Sequence, residues 1–213
     1  MPNADHHKPQ RYHHGNLRNA LIQAGLELLS EGGAAALDLR KVARRVGVSQ
    51  AAPYSHFADK QALIASITEE GFHRLAKRIQ NALEEASADT LGQLQALARA
   101  YVSFAQENPW LMREMFSGLA IDRNLYPTLI ASTHDVLKMF MRAIKHGQET
   151  NTIVKGDIGE LGAVLWSLLH GIAILIIEKQ TSPYTDDPES VEHFIHRCVQ
   201  MLYNGLGSLS GNH

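Results

Sequence analysis

One cysteine in 213 residues, Cys198, leaves no partner for an internal disulfide, which suits a reducing, cytoplasmic setting. Proline is scarce, seven residues in all, and few of them fall inside the helical stretches. The first residues, MPNADHHKPQRYHHGN, are polar and charged with no apolar centre, so no secretory signal is expected there. A Gly-rich phosphate loop, G-x-S-x-G, H-E-x-x-H and C-x-x-C are all missing, so no catalytic residue, cofactor or metal centre is expected. No convincing alternating run and no internal repeat stand out, which argues against a sheet and against a solenoid. Only one long apolar run occurs, Leu161 to Ile177, and Ser167, His170 and two glycines interrupt it. It sits near the lower length limit of a membrane span and reads as a buried helix, with no membrane partner expected.

What the chain does contain is helical periodicity almost throughout, and the expected fold class is all-α with about nine helices. Asn16 to Glu31 carries an apolar stripe of Leu17, Ala20, Leu21, Ala24 and Leu28. Asp59 opens a long helix from Lys60 to about Glu85, and Asp89 opens the next, which stops before Pro109. Pro109 to Ser117, Leu125 to Gly147, Ile158 to Lys179 and Glu189 to about Leu206 follow, the last two capped by Asp157 and Asp187.

The densest information lies in Leu37 to Lys60. Leu39, Val42, Ala43 and Val46 repeat at helical spacing while Arg40, Lys41, Arg44 and Arg45 point away, giving a short amphipathic helix with a basic face. Gly47 supplies a helix end and Val48 a plug for a tight turn. Ser49 is expected to cap a second helix, Gln50 to His56, whose side chains (Gln50, Ala51, Ala52, Tyr54, Ser55) are small enough to enter the roughly 12 Å wide major groove. Residues 1–60 hold eight Lys/Arg against five acids, a formal +3, whereas the remainder carries −5. A basic head on an acidic body fits a DNA-facing module joined to a domain that avoids DNA.

From Asn16 to about Phe72 the chain resembles the N-terminal domain of the TetR family of bacterial transcriptional regulators. The resemblance rests on the pair Gly32-Gly33, on LRKVARRVGVSQAAPYSHFADKQAL, and on Tyr54-x-His56-Phe57-x-x-Lys60. It implies a flexible basic arm (1–15), a helix-turn-helix domain (16–62) and a helical effector-binding and dimerisation domain (63–213). It also implies that Tyr54, His56 and Lys60 hold phosphates of double-stranded operator DNA while Phe57 packs inside the small domain. Gln50, the one long bidentate side chain of the second helix, suits an adenine edge, and Arg40 a guanine; Lys41, Ser49, Ala51, Ala52 and Ser55 complete the expected DNA contacts.

The second half suggests two further tasks. Its last two helices are apolar over more than one face, which implies burial against a second subunit. The resemblance implies a four-helix bundle in a homodimer, with Leu168, Ile172, Leu175, Phe194, Cys198 and Leu202 at the interface. Trp110, Met112, Phe116, Met139, Phe140, Trp166 and His170 are candidate liners of a site for a small apolar effector, against ordinary core packing. Trp166, His170-Gly171 and Tyr101 to Phe116 resemble the WHG subgroup of the same family. His193 with His196, and Glu69 with His73, have metal-pair spacing without an evident third ligand. The expected function is a DNA-binding repressor released by its effector; the alternative is an architectural or partner-controlled DNA-binding factor.

Overall fold

The computed structural model describes residues 14–117 and 123–206. Among them are eight α-helices and two 3-10 turns, with no strand. The chain divides into two compact units, one up to Ile67 and one from Thr68, and the division falls inside α3 (Lys60–Glu85).

The first unit comprises α1 (His14–Ala36), α2 (Leu39–Val46), a 3-10 turn (Ala52–Ser55) and the opening turns of α3. α1 begins at His14, within the stretch read as an arm; residues 1–13 of that arm lie outside the described residues. Near its end α1 breaks at Gly33, a buried residue with φ 65° and ψ −166°, a backbone region essentially closed to other residue types. The core gathers Leu21, Leu29, Leu37, Val42, Ala43, Phe57, Leu63 and Ile67, all essentially inaccessible. α2 is fixed at both ends. Asp38, in an extended conformation, accepts from the amides of Arg40 (2.8 Å) and Lys41 (3.2 Å). Gly47, at φ 80°, donates to the carbonyls of Ala43 and Arg44, and Val48 N–H also reaches Ala43 O.

The second helix of the expected helix-turn-helix requires correction. Gln50 to His56 does not form an α-helix capped by Ser49; its helical part is the four-residue 3-10 turn Ala52–Ser55, without a side-chain cap. Ala52 N–H bonds Ser49 O, Tyr54 N–H bonds Ala51 O and His56 N–H bonds Pro53 O, all three residues back. Pro53 is the physical reason. Lacking an N–H, it removes the one α-type bond that would tie this short segment to Ser49. Pro53 is itself buried.

In the second unit the later part of α3 is followed by α4 (Thr90–Glu107), α5 (Pro109–Phe116), α6 (Pro127–Glu149), α7 (Ile158–Ile177) and α8 (Pro188–Leu206). α4 is the central helix, packing on α6, α7 and α8, and its Leu94, Leu97, Ala98, Tyr101, Val102 and Ala105 are wholly buried. Asp89, Asp157 and Asp187 cap α4, α7 and α8 by accepting from Gly92, Glu160 and Ser190 amides at 2.7–3.0 Å. α6 starts at Pro127 rather than Leu125, which belongs to a separate 3-10 turn, Arg123–Leu125. α7 ends two residues before the expected Lys179, which takes φ 55° and so leaves the helix.

Candidate functional site

The four basic residues of α2 have different fates. Arg45 turns back to α1, where its guanidinium grips both carboxylate oxygens of Glu31 at 2.8 and 2.9 Å and approaches Glu27 at 3.4 Å. That hydrogen bonding lowers the Glu31 carboxyl and raises the Arg45 guanidinium from their ordinary values. Arg40, Lys41 and Arg44 are exposed and engage no acid among the described residues. Next to α2 in the same unit stands the 3-10 turn, with Ser49, Gln50, Ala51, Tyr54 and Ser55 exposed and Ala52 half-buried. Ser55 Oγ donates to Ala52 O at 2.7 Å, so its hydroxyl is already committed to the turn. His56 is half-buried, and its Nε2 atom is covered yet meets no hydrogen-bond partner among the described residues. Lys60 is exposed at the start of α3, its Nζ donating to Ala34 O at 3.0 Å, just past the Gly33 break. Arg18 pairs with Ser66 Oγ (3.0 Å) and lies 5.6 Å from the centroid of the buried Phe57 ring.

In the second unit, five of the rings assemble. His170 lies 4.5 Å from Phe116 and 5.8 Å from Trp166 between centroids, Phe116 lies 6.0 Å from Trp166, and Tyr101 stacks edge-on against Phe140 at 5.8 Å. A polar line runs through them. Trp166 Nε1–H donates to Tyr101 Oη at 3.3 Å, and Tyr101 Oη lies 3.0 Å from His170 Nδ1. Because indole nitrogen only donates, the fully buried Tyr101 hydroxyl satisfies its own proton by donating to His170 Nδ1. The opposite assignment would strand that O–H at a cost of about 1–3 kcal/mol. His170 is therefore the tautomer with its proton on Nε2. Burial pushes the Tyr101 phenol up and the imidazole down from their ordinary values, so both stay neutral near pH 7.

The other expected liners differ in burial. Trp110 is 44% exposed beneath the Arg113 guanidinium (4.8 Å), which also donates to Glu178 at 2.7 Å. Met112 is wholly buried, and Met139 is half-buried on α6. Surface hollows open elsewhere: one of about 530 Å³ between α4 and α8 includes Arg99, Glu107, Asp187 and Glu192. Another, of about 650 Å³, runs beside Tyr184, His193, Phe194 and Arg197.

α7 and α8 leave an apolar face uncovered. Val164 and Leu175 on α7 are 44% and 45% exposed and Met201 on α8 is 69% exposed, with Leu168, Phe194, Cys198 and Leu202 half-buried. Burial raises the Cys198 thiol above its ordinary value, which makes it a poor nucleophile. Ile172, one turn on from Leu168, differs from these: it is 4% exposed, covered by its own chain. Gly171 falls between Leu168 and Leu175, and a Cβ placed there would meet nothing within 4 Å. By length and composition α7 meets the requirement of a membrane span, yet only 33% of its most apolar stretch is buried in this chain. Among the described residues no three His, Cys, Asp or Glu side chains group as metal ligands; His196 meets Gln95 at 2.9 Å and Glu69 accepts from Thr128.

Residues 21–67 match the model of bacterial regulatory proteins of the tetR family, and residues 94–202 match the tetracyclin repressor-like C-terminal domain. The chain belongs to the TetR family. A solved Rhodococcus sp. RHA1 protein of unknown function is similar to this TetR chain, with 32% identity and TM-score 0.80 over 93% of this chain and 100% of that one. The fatty acid degradation regulator FadR from Bacillus halodurans shares the fold at 18% identity, TM-score 0.71, over 94% of this chain and 100% of that one. The nucleoid occlusion factor SlmA of Aliivibrio fischeri is 37% identical over 101 residues, 47% of this chain and 51% of that protein. The TetR chain thus spans about half the length of the curated relatives it matches.

Two residues of this TetR chain matter more than its sequence suggests. Tyr101 reads as one member of the inward stripe of α4, but a buried phenol needs partners, and Trp166 and His170, one helical turn apart, offer a donor and an acceptor on one face. Arg45 reads as part of the basic face; Glu27 and Glu31, four apart on α1, were the signal that one arginine would be withdrawn.

Proposed function

We propose that the protein is a homodimeric, sequence-specific DNA-binding transcriptional regulator of the bacterial cytoplasm, a repressor that leaves its operator when a small, largely apolar molecule occupies the second unit. The observation that carries the DNA-binding reading is the split on α2. Arg45 is neutralised inside the chain, while Arg40, Lys41 and Arg44 pair with no acid among the described residues and stand next to an exposed, small-residue turn. Unpaired cations attract phosphates, and a bare turn admits the backbone to a groove. In this reading Tyr54, His56 and Lys60 address phosphates and Gln50 addresses a base edge. The uncovered apolar face of α7 and α8 takes a second copy, with Leu168, Leu175, Phe194, Cys198 and Leu202 in the contact. A dimer sets two recognition turns about one DNA turn apart, roughly 34–36 Å, so a ligand acts by disfavouring that spacing. α3, which belongs to both units, is the connection.

Selection of bound duplexes from random DNA tests this reading. It should return a palindromic motif, and Trp166→Ala should keep binding that motif while losing release by the effector. Failure to enrich any motif overturns the proposal. The resemblance to SlmA, named as a nucleoid occlusion factor, favours a second reading in which DNA binding serves a protein partner instead of an effector. Many motif copies spread over a genome, rather than one beside a regulated gene, would favour that alternative.

A further inference from the structure

The line from Trp166 Nε1 through Tyr101 Oη to His170 Nδ1 ends on His170 Nε2, which has no acceptor among the described residues. Around it stand the rings of Phe116 and Trp166, both half-buried. No Lys or Arg joins this group by a hydrogen bond, ion pair or ring contact among the described residues. We infer that His170 Nε2–H is a fixed hydrogen-bond donor for the effector, and that the effector is a flat, apolar molecule carrying one uncharged acceptor oxygen, of the aryl ketone kind. Tyr101 is the positioning residue that sets which nitrogen donates.

This rests on the ligand-responsive reading above and narrows its chemistry. A pure hydrocarbon would leave the donor unpaired once water is displaced, and an anion would lose hydration that one neutral donor does not replace. Burial, which holds the imidazole neutral near pH 7, keeps the tautomer distinction meaningful. Flat rings lie against flat rings in offset or edge-on contact, and three such rings meet here within 6.0 Å between centroids.

Two measurements on the full chain test the inference. Long-range proton–nitrogen spectra of protein labelled at histidine should show His170 neutral with its proton on Nε2, and Tyr101→Phe should remove that preference without lowering helix content. Titration with 2-acetonaphthone and its ketone-free counterpart 2-ethylnaphthalene should then show the ketone binding about tenfold tighter, as one neutral hydrogen bond of discrimination allows. The ratio should fall toward one in Tyr101→Phe and in His170→Phe. A proton on Nδ1, equal affinity for the two compounds, or binding of neither overturns the inference. Operator binding by the same wild-type sample separates the two levels: if it persists, only the ligand chemistry is wrong, and if it is absent the regulatory reading fails.

Discussion

Replacing Leu175 by Asp separates assembly from folding. Leu175 is 45% exposed in the single chain, so a carboxylate there stays hydrated and the protomer should fold normally. In a symmetric dimer the change occurs twice. Full burial of a leucine contributes about 1.5–3 kcal/mol, so the uncovered part contributes about 1 kcal/mol per copy and about 2 kcal/mol per dimer. Burying the new carboxylates costs more. Neutralising each at pH 7, about three units above its ordinary value, costs about 4 kcal/mol and caps the penalty per copy. The dimer dissociation constant should therefore rise at least about thirtyfold, and by many orders of magnitude if both carboxylates are fully enclosed. Sedimentation over a concentration series reads the change, with far-UV circular dichroism as the folding control. A well-folded Leu175→Asp protein that sediments as wild type does at every concentration would refute the assignment of this face. Leu169→Asp, on a wholly buried position of the same helix, is the contrast, since it should unfold the unit itself.

Lys60→Ala should weaken binding to all duplexes alike and reduce the salt slope by about one unit, whereas a changed base preference at constant slope would contradict a phosphate role. Gln50→Ala should cost about 1–3 kcal/mol at one A·T position of each half-site in a base-by-base operator scan, and a uniform loss at every position would rule out base readout. Arg78 holds Glu107 through two 2.6 Å bonds, which keep that carboxyl below its ordinary value. The stabilisation is present above the ordinary carboxylate range and is lost as pH falls through the lowered value; for so exposed a pair it amounts to less than about 1 kcal/mol. Arg78→Gln should flatten the acid limb of thermal stability, and an unchanged limb would show that the pair contributes nothing.

Much of the all-α fold was legible because it is written locally. Asp59, Asp89, Asp157 and Asp187 each mark a helix start that the structure realises, and Gly47 ends α2 as its position suggests. The errors arose where local signals competed. Ser49 has the chemistry of a cap, but Pro53, four residues on, removes the bond that an α-helix from Gln50 would need. Trp110 and Met112 share an eight-residue helix with Phe116, and periodicity alone did not reveal that one is exposed, one is core and one meets His170. The partners of Tyr101 lie 65 and 69 residues away, a separation that no local pattern encodes. Ile172 shows the same limit: it stands one turn from half-buried Leu168 yet is covered by its own chain, and a helix apolar on several sides does not announce which residues will be covered.

Gly171 has a practical consequence for anyone engineering this molecule. Alanine would fit there without touching its own chain, and in the middle of a helix it is favoured over glycine by roughly 0.5–1 kcal/mol. A directed-evolution screen that rewards heat resistance and solubility of separate chains would thus drift toward alanine at 171 and toward polar residues at Val164, Leu175 and Met201. Each step would look like an improvement in the tube. The variant that won would be well behaved, and it would have lost the apolar face on which the proposed pairing of two copies depends.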